Sequence, residues 1–147
     1  MSLDIRELYQ EMIIDHNRNP RNYYDMPDAT ASADGFNRLC GDQLTVYLKI
    51  DSGIVVDASF MGSGCAISKA SASLMTEALR GKTVEEVHDL FHRFHTMLTT
   101  DNQPEALDKL VVLAGVRAYP ARVKCATLAW HTLEAALRHD TSPISTE

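Results

Sequence analysis

The sequence predicts an α+β fold: a small three-stranded antiparallel sheet with about five helices packed mainly on one face of that sheet. Two observations indicate this class. Apolar and polar residues alternate with the period of a strand only between residues 29 and 60, and from Cys65 onward the apolar residues recur with the period of a helix. Strands that come first, followed by helices, are typical of folds in which the helices cover one side of a sheet.

The strand region contains three segments of alternating burial. A helix precedes them, because apolar residues recur at helical spacing from Asp4 to Asn17, and Asn19-Pro20 then ends the pattern. An Asp51-Ser52-Gly53 turn joins the second and third segments into a hairpin. The expected strands cover residues 29–34, 43–50 and 54–60.

The helical region divides into four segments. A helix rich in small residues follows Cys65 and ends near Gly81. Thr83 and Glu86 form a capping-box pattern that begins the next helix, which carries an apolar stripe. We further expect a short helix over Ala106–Ala114 that ends at Gly115, and a last helix with Pro120 in its first turn.

Length and composition indicate one domain. A chain of 147 residues, 45% of them hydrophobic, is long enough to bury one core and too short for two independent ones. We expect a single domain over residues 1–140 and a flexible tail over residues 141–147, which lacks an apolar pattern.

Net charge, hydropathy and cysteine content argue against nucleic acid and membrane partners and favour metal binding or thiol chemistry. The formal net charge of −6 would repel a polyanion, so we expect no nucleic acid partner. No secretion signal or membrane-length apolar run is present, so we expect no membrane partner and a cytoplasmic location. In a reducing compartment the three cysteines stay free and become candidates for metal binding or thiol chemistry.

Each cysteine has a local feature that favours its ionised form or its use as a ligand. Cys40 and Asp42 flank Gly41 and would project to the same side of an extended chain. Cys65 lies at a helix N-terminus, which lowers a thiol pKa, and Cys125 follows the cations Arg122 and Lys124. These features predict a group of thiolates.

If Cys40, Asp42, Cys65 and Cys125 converge, three sulfurs and one oxygen form a closed tetrahedral set that suits zinc best and iron next. The alternative is that the cysteines are small buried hydrophobic residues, because none of them forms a Cys-x-x-Cys pair. The spacing by itself leaves both interpretations open.

Four segments, spread over most of the chain, carry longer motifs around these residues. They are Asp15-His16-x-x-Asn19-Pro20-Arg21-Asn22, Cys40-Gly41-Asp42, Gly62-x-Gly64-Cys65-x-Ile67-Ser68-x-Ala70-Ser71-Ala72-Ser73, and Arg122-x-Lys124-Cys125-Ala126-Thr127-Leu128-Ala129-Trp130.

In this order, the motifs resemble the landmarks of the iron-sulfur cluster assembly family that includes IscU, the N-terminal part of NifU, and SufU. The SufU branch is the closer likeness, because Lys124 stands where IscU-type scaffolds carry a histidine, and their Leu-Pro-Pro-Val-Lys motif is absent. The sequence departs from the family at Arg38-Leu39, Ser63 and Lys69. The resemblance implies a SufE/NifU-like fold.

The resemblance also implies a mechanism. Cys40, Asp42, Cys65 and Cys125 would bind zinc, and a SufS-type cysteine desulfurase would deliver persulfide sulfur to Cys40. In SufU-like proteins a histidine of the desulfurase is thought to replace this cysteine on zinc, and Arg122 matches the arginine that then pairs with Asp42. Downstream, a SufBCD-type scaffold or apo client proteins would receive the sulfur.

Two rival functions remain at this point. The same three cysteines, Cys40, Cys65 and Cys125, could hold iron or a transient [2Fe-2S] cluster as a scaffold does. The zinc could also be purely structural in a binding module through which no sulfur passes.

Other polar groups have simpler interpretations. We expect His88, His92 and His95 to lie at the boundary of the core and to bind no metal, and His16 to cap or pack. Lys124 is either a neighbour of the site or a solvated residue. Serines 68, 71 and 73 are best explained by helix packing, because no histidine and acid accompany them as in a serine hydrolase.

Overall fold

The computed structural model describes residues 5–38, 40–102, 104–138 and 144–145, with the backbone alone at 5–9 and 144–145. This part of the chain forms four α-helices, one 3₁₀ helix and four strands. In chain order they are α1 (Ile5–Arg18), β1 (Ala31–Asn37), β2 (Asp42–Asp51), β3 (Ile54–Ser63), α2 (Ala66–Leu79), α3 (Val84–Thr99), the 3₁₀ helix (Asp108–Ala118), α4 (Pro120–Leu137) and β4 (Ile144–Ser145).

Strands β1, β2 and β3 form the antiparallel sheet that the sequence predicts. The hairpin between β2 and β3 turns at Ser52 and Gly53, whose positive φ angles of 53° and 78° are those of a tight two-residue turn that matches the right-handed twist of the strands. Strand β4, which the sequence does not predict, pairs in parallel with β1 and gives the order β3-β2-β1-β4. The rest of the expected flexible tail at 141–147 lies outside the described residues.

One face of the sheet carries the core, as predicted for an α+β fold. Residues of β1 and β2 alternate between buried and more exposed, and helices α2 and α4 pack against the buried side. Trp130 of α4 is fully buried, and its ring stacks on Phe94 of α3 with centroids 4.4 Å apart. Burial of such large side chains supplies much of the hydrophobic free energy of folding.

The predicted ends of the long helices are confirmed. Thr83 and Glu86 form the expected capping box before α3, and Pro120 occupies the first turn of α4. Cys65 caps the N-terminus of α2, where its sulfur accepts the backbone N–H of Ser68. These ends matter for function because α2 and α4 begin beside the candidate site.

The predicted short helix over Ala106–Ala114 is present as a 3₁₀ helix, but its predicted bounds and its predicted end at Gly115 are wrong. The chain enters through positive φ angles at Ala106 and Asp108 and then forms a 3₁₀ helix that runs through Gly115 to Ala118. A 3₁₀ helix has three residues per turn, so apolar side chains with a period of three share one face. Four buried residues have this period, namely Leu107, Leu110, Leu113 and Val116.

None of the helices in the described ranges is long and apolar enough to cross a membrane.

Candidate metal centre

The turn between β1 and β2 carries the first two candidate ligands. Cys40 is half-buried in this turn, and Asp42, the first residue of β2, is 2% exposed. The sequence predicted extended geometry here, but Gly41 between them has a φ of 72°, in the left-handed region that glycine adopts most readily. The backbone therefore turns at Gly41 while both functional groups still face one site.

Cys125 comes to the same place from the second turn of α4. Its side chain is fully buried, and its Sγ lies 2.7 Å from Cys40 Sγ. The ligand atoms of Cys40, Asp42 and Cys125 all lie within 4.8 Å of one another, which makes the three residues a possible ligand set for one ion. Residues 85 positions apart in the chain thus share one site.

Cys65 stands at the side of this cluster and is joined to it through Asp42. The backbone N–H of Cys65 donates to Asp42 Oδ1 at 2.8 Å, and Cys65 Sγ lies 4.0 Å from Asp42 Oδ2. The N–H of Ser68 also lies 3.5 Å from the Cys65 sulfur. Because a helix N-terminus stabilises negative charge, this position suits a thiolate. The structure therefore groups Cys40, Asp42 and Cys125 as one possible ligand set and places Cys65 beside it, in contact with Asp42.

The sequence predicted that nearby cations favour the ionised form of Cys125, but the pKa of its thiol is raised in the structure. Burial raises the pKa of the Cys125 thiol, and its hydrogen bond with Cys40 and the charges of Cys65 and Asp42 raise it further. The nearby cations do not reverse this effect, because Arg122 is exposed to solvent. The pKa of Arg122 is raised, first by a hydrogen bond with Cys125 and then by the charges of the thiols.

The residues present fit a bound divalent cation. Such an ion would offset the repulsion among the sulfurs and the carboxylate and would deprotonate a coordinating thiol outright. Three sulfurs and one oxygen are a donor set that suits zinc. Gly64 leaves the space that Asp42 occupies, because a Cβ atom built on Gly64 would lie only 2.6 Å from Asp42 Oδ1.

Two neighbours of the site were not singled out from the sequence as functional. Asn37 is fully buried and lies directly opposite Asp42 in the β1–β2 ladder, and its Nδ2 is 3.9 Å from Cys125 Sγ. A polar residue at an inward-facing position of a strand, close in sequence to Cys40, is a signal that could have identified it. Gly64 appeared in the sequence only as part of the motif before Cys65, and the structure adds that its missing side chain makes room for Asp42.

The histidines on α3 do not form a metal site in the part of the chain that the structure describes. His88 Nδ1 lies 2.9 Å from Glu134 Oε1, and the His95 and His131 rings pack around Phe91. Within the described ranges, the only cluster of three or more potential ligands is that of Cys40, Asp42 and Cys125. His16 is buried, with Nδ1 2.7 Å from Ser73 Oγ.

The departures from the family pattern lie around the site. Lys69 places its Nζ 5.7 Å from the centroid of the Tyr23 ring, and Arg38 lies 5.2 Å from that of Phe36, both in cation–π geometry. Leu39 lies outside the described residues. Lys124, whose role the sequence left open, is exposed.

The sequence of this chain is similar to one protein-family model and to several known proteins. The family described as "NifU-like N terminal domain" matches residues 8–139. The chain is 42% identical to the iron-sulfur cluster assembly scaffold protein IscU of Thermotoga maritima, over 92% of this chain and 96% of that protein. It is also 42% identical to the zinc-dependent sulfurtransferase SufU of Bacillus subtilis, over 86% of this chain and 87% of that protein.

Solved structures with the same fold agree with these matches. One is an iron-sulfur cluster assembly scaffold protein for the SUF system from Fervidobacterium islandicum, with a TM-score of 0.80 and 33% identity over 90% of this chain and 98% of that one. Another is a NifU-like protein (N-terminal) from Brucella abortus, with a TM-score of 0.82 and 27% identity over 92% of this chain and 96% of that one.

Proposed function

This chain belongs to the NifU-like N-terminal domain family, and we propose that it is a zinc-dependent sulfurtransferase of the SufU type. The family members similar to it include iron-sulfur cluster assembly proteins of the IscU and SufU types. The chain would accept persulfide sulfur from a SufS-type cysteine desulfurase. The observation that carries this proposal is the convergence of Cys40, Asp42 and Cys125, with Cys65 joined to them through Asp42. Lys124, at the position where IscU-type scaffolds carry a histidine, favours the SufU branch.

The three cysteines differ in their suitability as the sulfur acceptor. Cys125 is fully buried, and Cys65 is fixed at the N-terminus of α2 by contacts with Asp42 and Ser68. Cys40 is half-buried in a turn, and the space where Gly41 would carry a Cβ is open to at least 4 Å. Cys65 is half-buried as well, but of these two thiols Cys40 is the one that lies in a turn with open space beside it, and we assign it as the acceptor.

The proposed step is a thiol exchange with balanced atoms. The Cys40 thiolate attacks the terminal sulfur of the donor's cysteine persulfide, and the donor's sulfur–sulfur bond breaks. Cys40 leaves with a persulfide, the donor cysteine leaves as a thiolate, and no net oxidation occurs. Zinc held by Cys40, Asp42, Cys65 and Cys125 would supply the positive charge that keeps these cysteines ionised.

In this proposal Arg122 and Asp42 balance charge at the site while sulfur is transferred to Cys40. Arg122 is exposed in the first turn of α4, and its guanidinium is close enough to Cys125 and the other thiols for them to raise its pKa, so it lies at the edge of the site. A guanidinium can pair with a carboxylate through two hydrogen bonds. We propose that Arg122 pairs with Asp42 when the donor engages Cys40, which would offset the negative charge of the carboxylate.

The test uses the full chain with a SufS-type desulfurase and cysteine. Wild type should contain zinc, raise desulfurase turnover and gain the mass of a sulfur atom at Cys40. Cys40→Ala should lose the acceptance of sulfur and keep part of its zinc. A Cys40→Ala protein that accepts sulfur as fast as wild type would refute the assignment.

A scaffold function is the second candidate, favoured by the equal identity of 42% to a relative named as an IscU scaffold. In that case Cys40, Cys65 and Cys125 would hold iron or a [2Fe-2S] cluster as cargo. The same incubation, with ferrous iron added, separates the two. A visible cluster without stimulated turnover supports the scaffold, and zinc without either result supports a structural zinc in a binding module.

A further inference from the structure

Ser68, close to the metal centre, carries a hydroxyl group that its surroundings do not satisfy. Ser68 is fully buried, and its Oγ has no hydrogen-bond partner in the described structure; Ser59 in β3 has the same property. Buried polar groups are nearly always hydrogen-bonded, so each exception requires an explanation.

The other buried serines of α2 have partners, so the helix does not tolerate unsatisfied hydroxyls in general. Ser71 donates to the carbonyl oxygen of Ala126 at 2.5 Å and accepts the indole N–H of Trp130 at 3.2 Å. Ser73 accepts the backbone N–H of Arg21 at 2.8 Å. Packing alone therefore explains Ser71 and Ser73 and leaves the hydroxyl of Ser68 unexplained.

Ser68 lies in the first turn of α2, the helix that begins at Cys65 and contacts α4 next to Cys125. Its backbone N–H lies 3.5 Å from the sulfur of Cys65, the residue that caps α2. One turn later Ser71 contacts α4 at Ala126, the residue after Cys125. Because residues three apart lie on one face of a helix, Ser68 lies on the face of α2 that runs from Cys65 to the contact of Ser71 with α4.

The start of α3 shows how a side chain at this helical position reaches back to the cap. Ser68 and Glu86 are each the third residue of their helix, and the Glu86 carboxylate accepts the backbone N–H of the cap residue Thr83 at 3.0 Å. The corresponding N–H of Cys65 is already bound to Asp42. At Cys65 the remaining acceptor is the sulfur, which is a weak acceptor as a thiol and a strong one as a thiolate.

We propose that Ser68 is a positioning residue of the metal centre, whose hydroxyl donates a hydrogen bond to the sulfur of Cys65 when that sulfur binds the metal. The inference rests on the proposed function, because it assumes that Cys65 binds a metal. The hydroxyl and the backbone N–H of Ser68 would then both fix the ligand sulfur. Such outer hydrogen bonds orient a ligand and strengthen metal binding.

The test compares Ser68→Ala with Ser59→Ala, the matched removal of the other unsatisfied hydroxyl. Zinc affinity is measured by competition with a chromophoric chelator, and the cobalt-substituted protein reports the sulfur–metal charge-transfer bands. Ser68→Ala should weaken zinc binding by about 10- to 100-fold and shift these bands. Ser59→Ala should leave both unchanged.

The melting temperatures of the metal-free proteins provide a second measurement, because they should not fall in Ser68→Ala although zinc affinity should. Removal of an unsatisfied buried hydroxyl should leave the melting temperature of either variant unchanged or raise it by about 2–4 °C. A Ser68→Ala protein with wild-type zinc affinity and cobalt spectrum would overturn the inference and leave the proposed function standing, as would equal losses in both variants. A wild-type protein that binds no zinc would overturn the inference and the metal centre together.

Discussion

Two groups of potential metal ligands differ in how the fold positions them: one comes from several elements, and the other comes mainly from one helix face. The thiol cluster, formed by Cys40, Asp42, Cys65 and Cys125, takes its members from the ends of separate elements. The histidine face, formed by His88, His92 and His95 of α3 with His131 of α4, takes three of its members from one helix.

In the described residues, regular spacing along α3 gave no cluster of potential ligands, whereas residues scattered over several elements gave one. Residues along one helix face all point the same way, and their neighbours already satisfy them: His88 contacts Glu134, and His95 and His131 pack on Phe91. Side chains at the ends of several elements can instead approach one point from different directions, as a tetrahedral ion requires.

The largest expected difference between the two groups is in zinc content. Cys125→Ala or Cys65→Ala should lower zinc affinity by at least about 100-fold, because loss of a ligand should cost more than loss of a residue that supports one. The free energy of metal binding that is linked to folding would be lost with the ion, so thermal stability should fall as well. Zinc content by elemental analysis and thermal melting with and without chelator measure both effects.

His88→Ala is the matched control on the histidine face. It removes an exposed pair with Glu134, which is worth at most about 1 kcal/mol of stability. Zinc content should remain that of wild type. A loss of zinc in His88→Ala equal to that in Cys125→Ala would show that the histidine face binds the metal.

A smaller effect should come from the space around Asp42. In Gly64→Ala the new Cβ would lie 2.6 Å from Asp42 Oδ1, so the carboxylate or the loop must move. We expect a loss of about 1–3 kcal/mol in the free energy of unfolding, together with weaker zinc binding. Denaturant unfolding and chelator competition measure the two quantities.

Gly115→Ala is the control for this substitution, because a Cβ on Gly115 meets nothing within 4 Å. Its effect on stability should stay within about 0.5 kcal/mol. Wild-type zinc affinity in Gly64→Ala would mean that the position of Asp42 is not critical for the ion.

The smallest effect should be a pH dependence that involves the histidine face. Burial lowers the pKa of His131 below its ordinary value of 6.5, and the charge of His95 lowers it further; burial also lowers the pKa of His16. The unfolded chain therefore binds more protons near pH 6 than the folded one, so the free energy of unfolding should decrease as the pH falls below 6.5.

This measurement requires metal-free protein, because acid also releases a metal from thiolates. The raised pKa of Cys125 keeps that thiol neutral in this range, so it should not contribute. His131→Gln should reduce the slope of stability against pH between 7.5 and 5.5, relative to wild type. An unchanged slope in His131→Gln would show that His131 does not titrate differently in the folded and unfolded states.

Much of the fold could be predicted because its signals are local. The period-two alternation around the Ser52-Gly53 turn specified the hairpin, and the capping box at Thr83 and Glu86 specified the start of α3. The 3₁₀ type of the short helix was not predicted, because a period of three differs little from 3.6 over so few residues. The pairing of β4 with β1 could not be predicted, because two residues carry no periodicity.

By itself, the sequence determined the candidate ligands and the elements that carry them, because residue type and periodicity are properties of the chain. Only the tertiary structure decided that Cys125 meets Cys40, that Gly64 makes room for Asp42 and that burial raises the pKa of the Cys125 thiol. Distance, excluded volume and loss of water depend on how distant segments pack, and no local pattern contains that information.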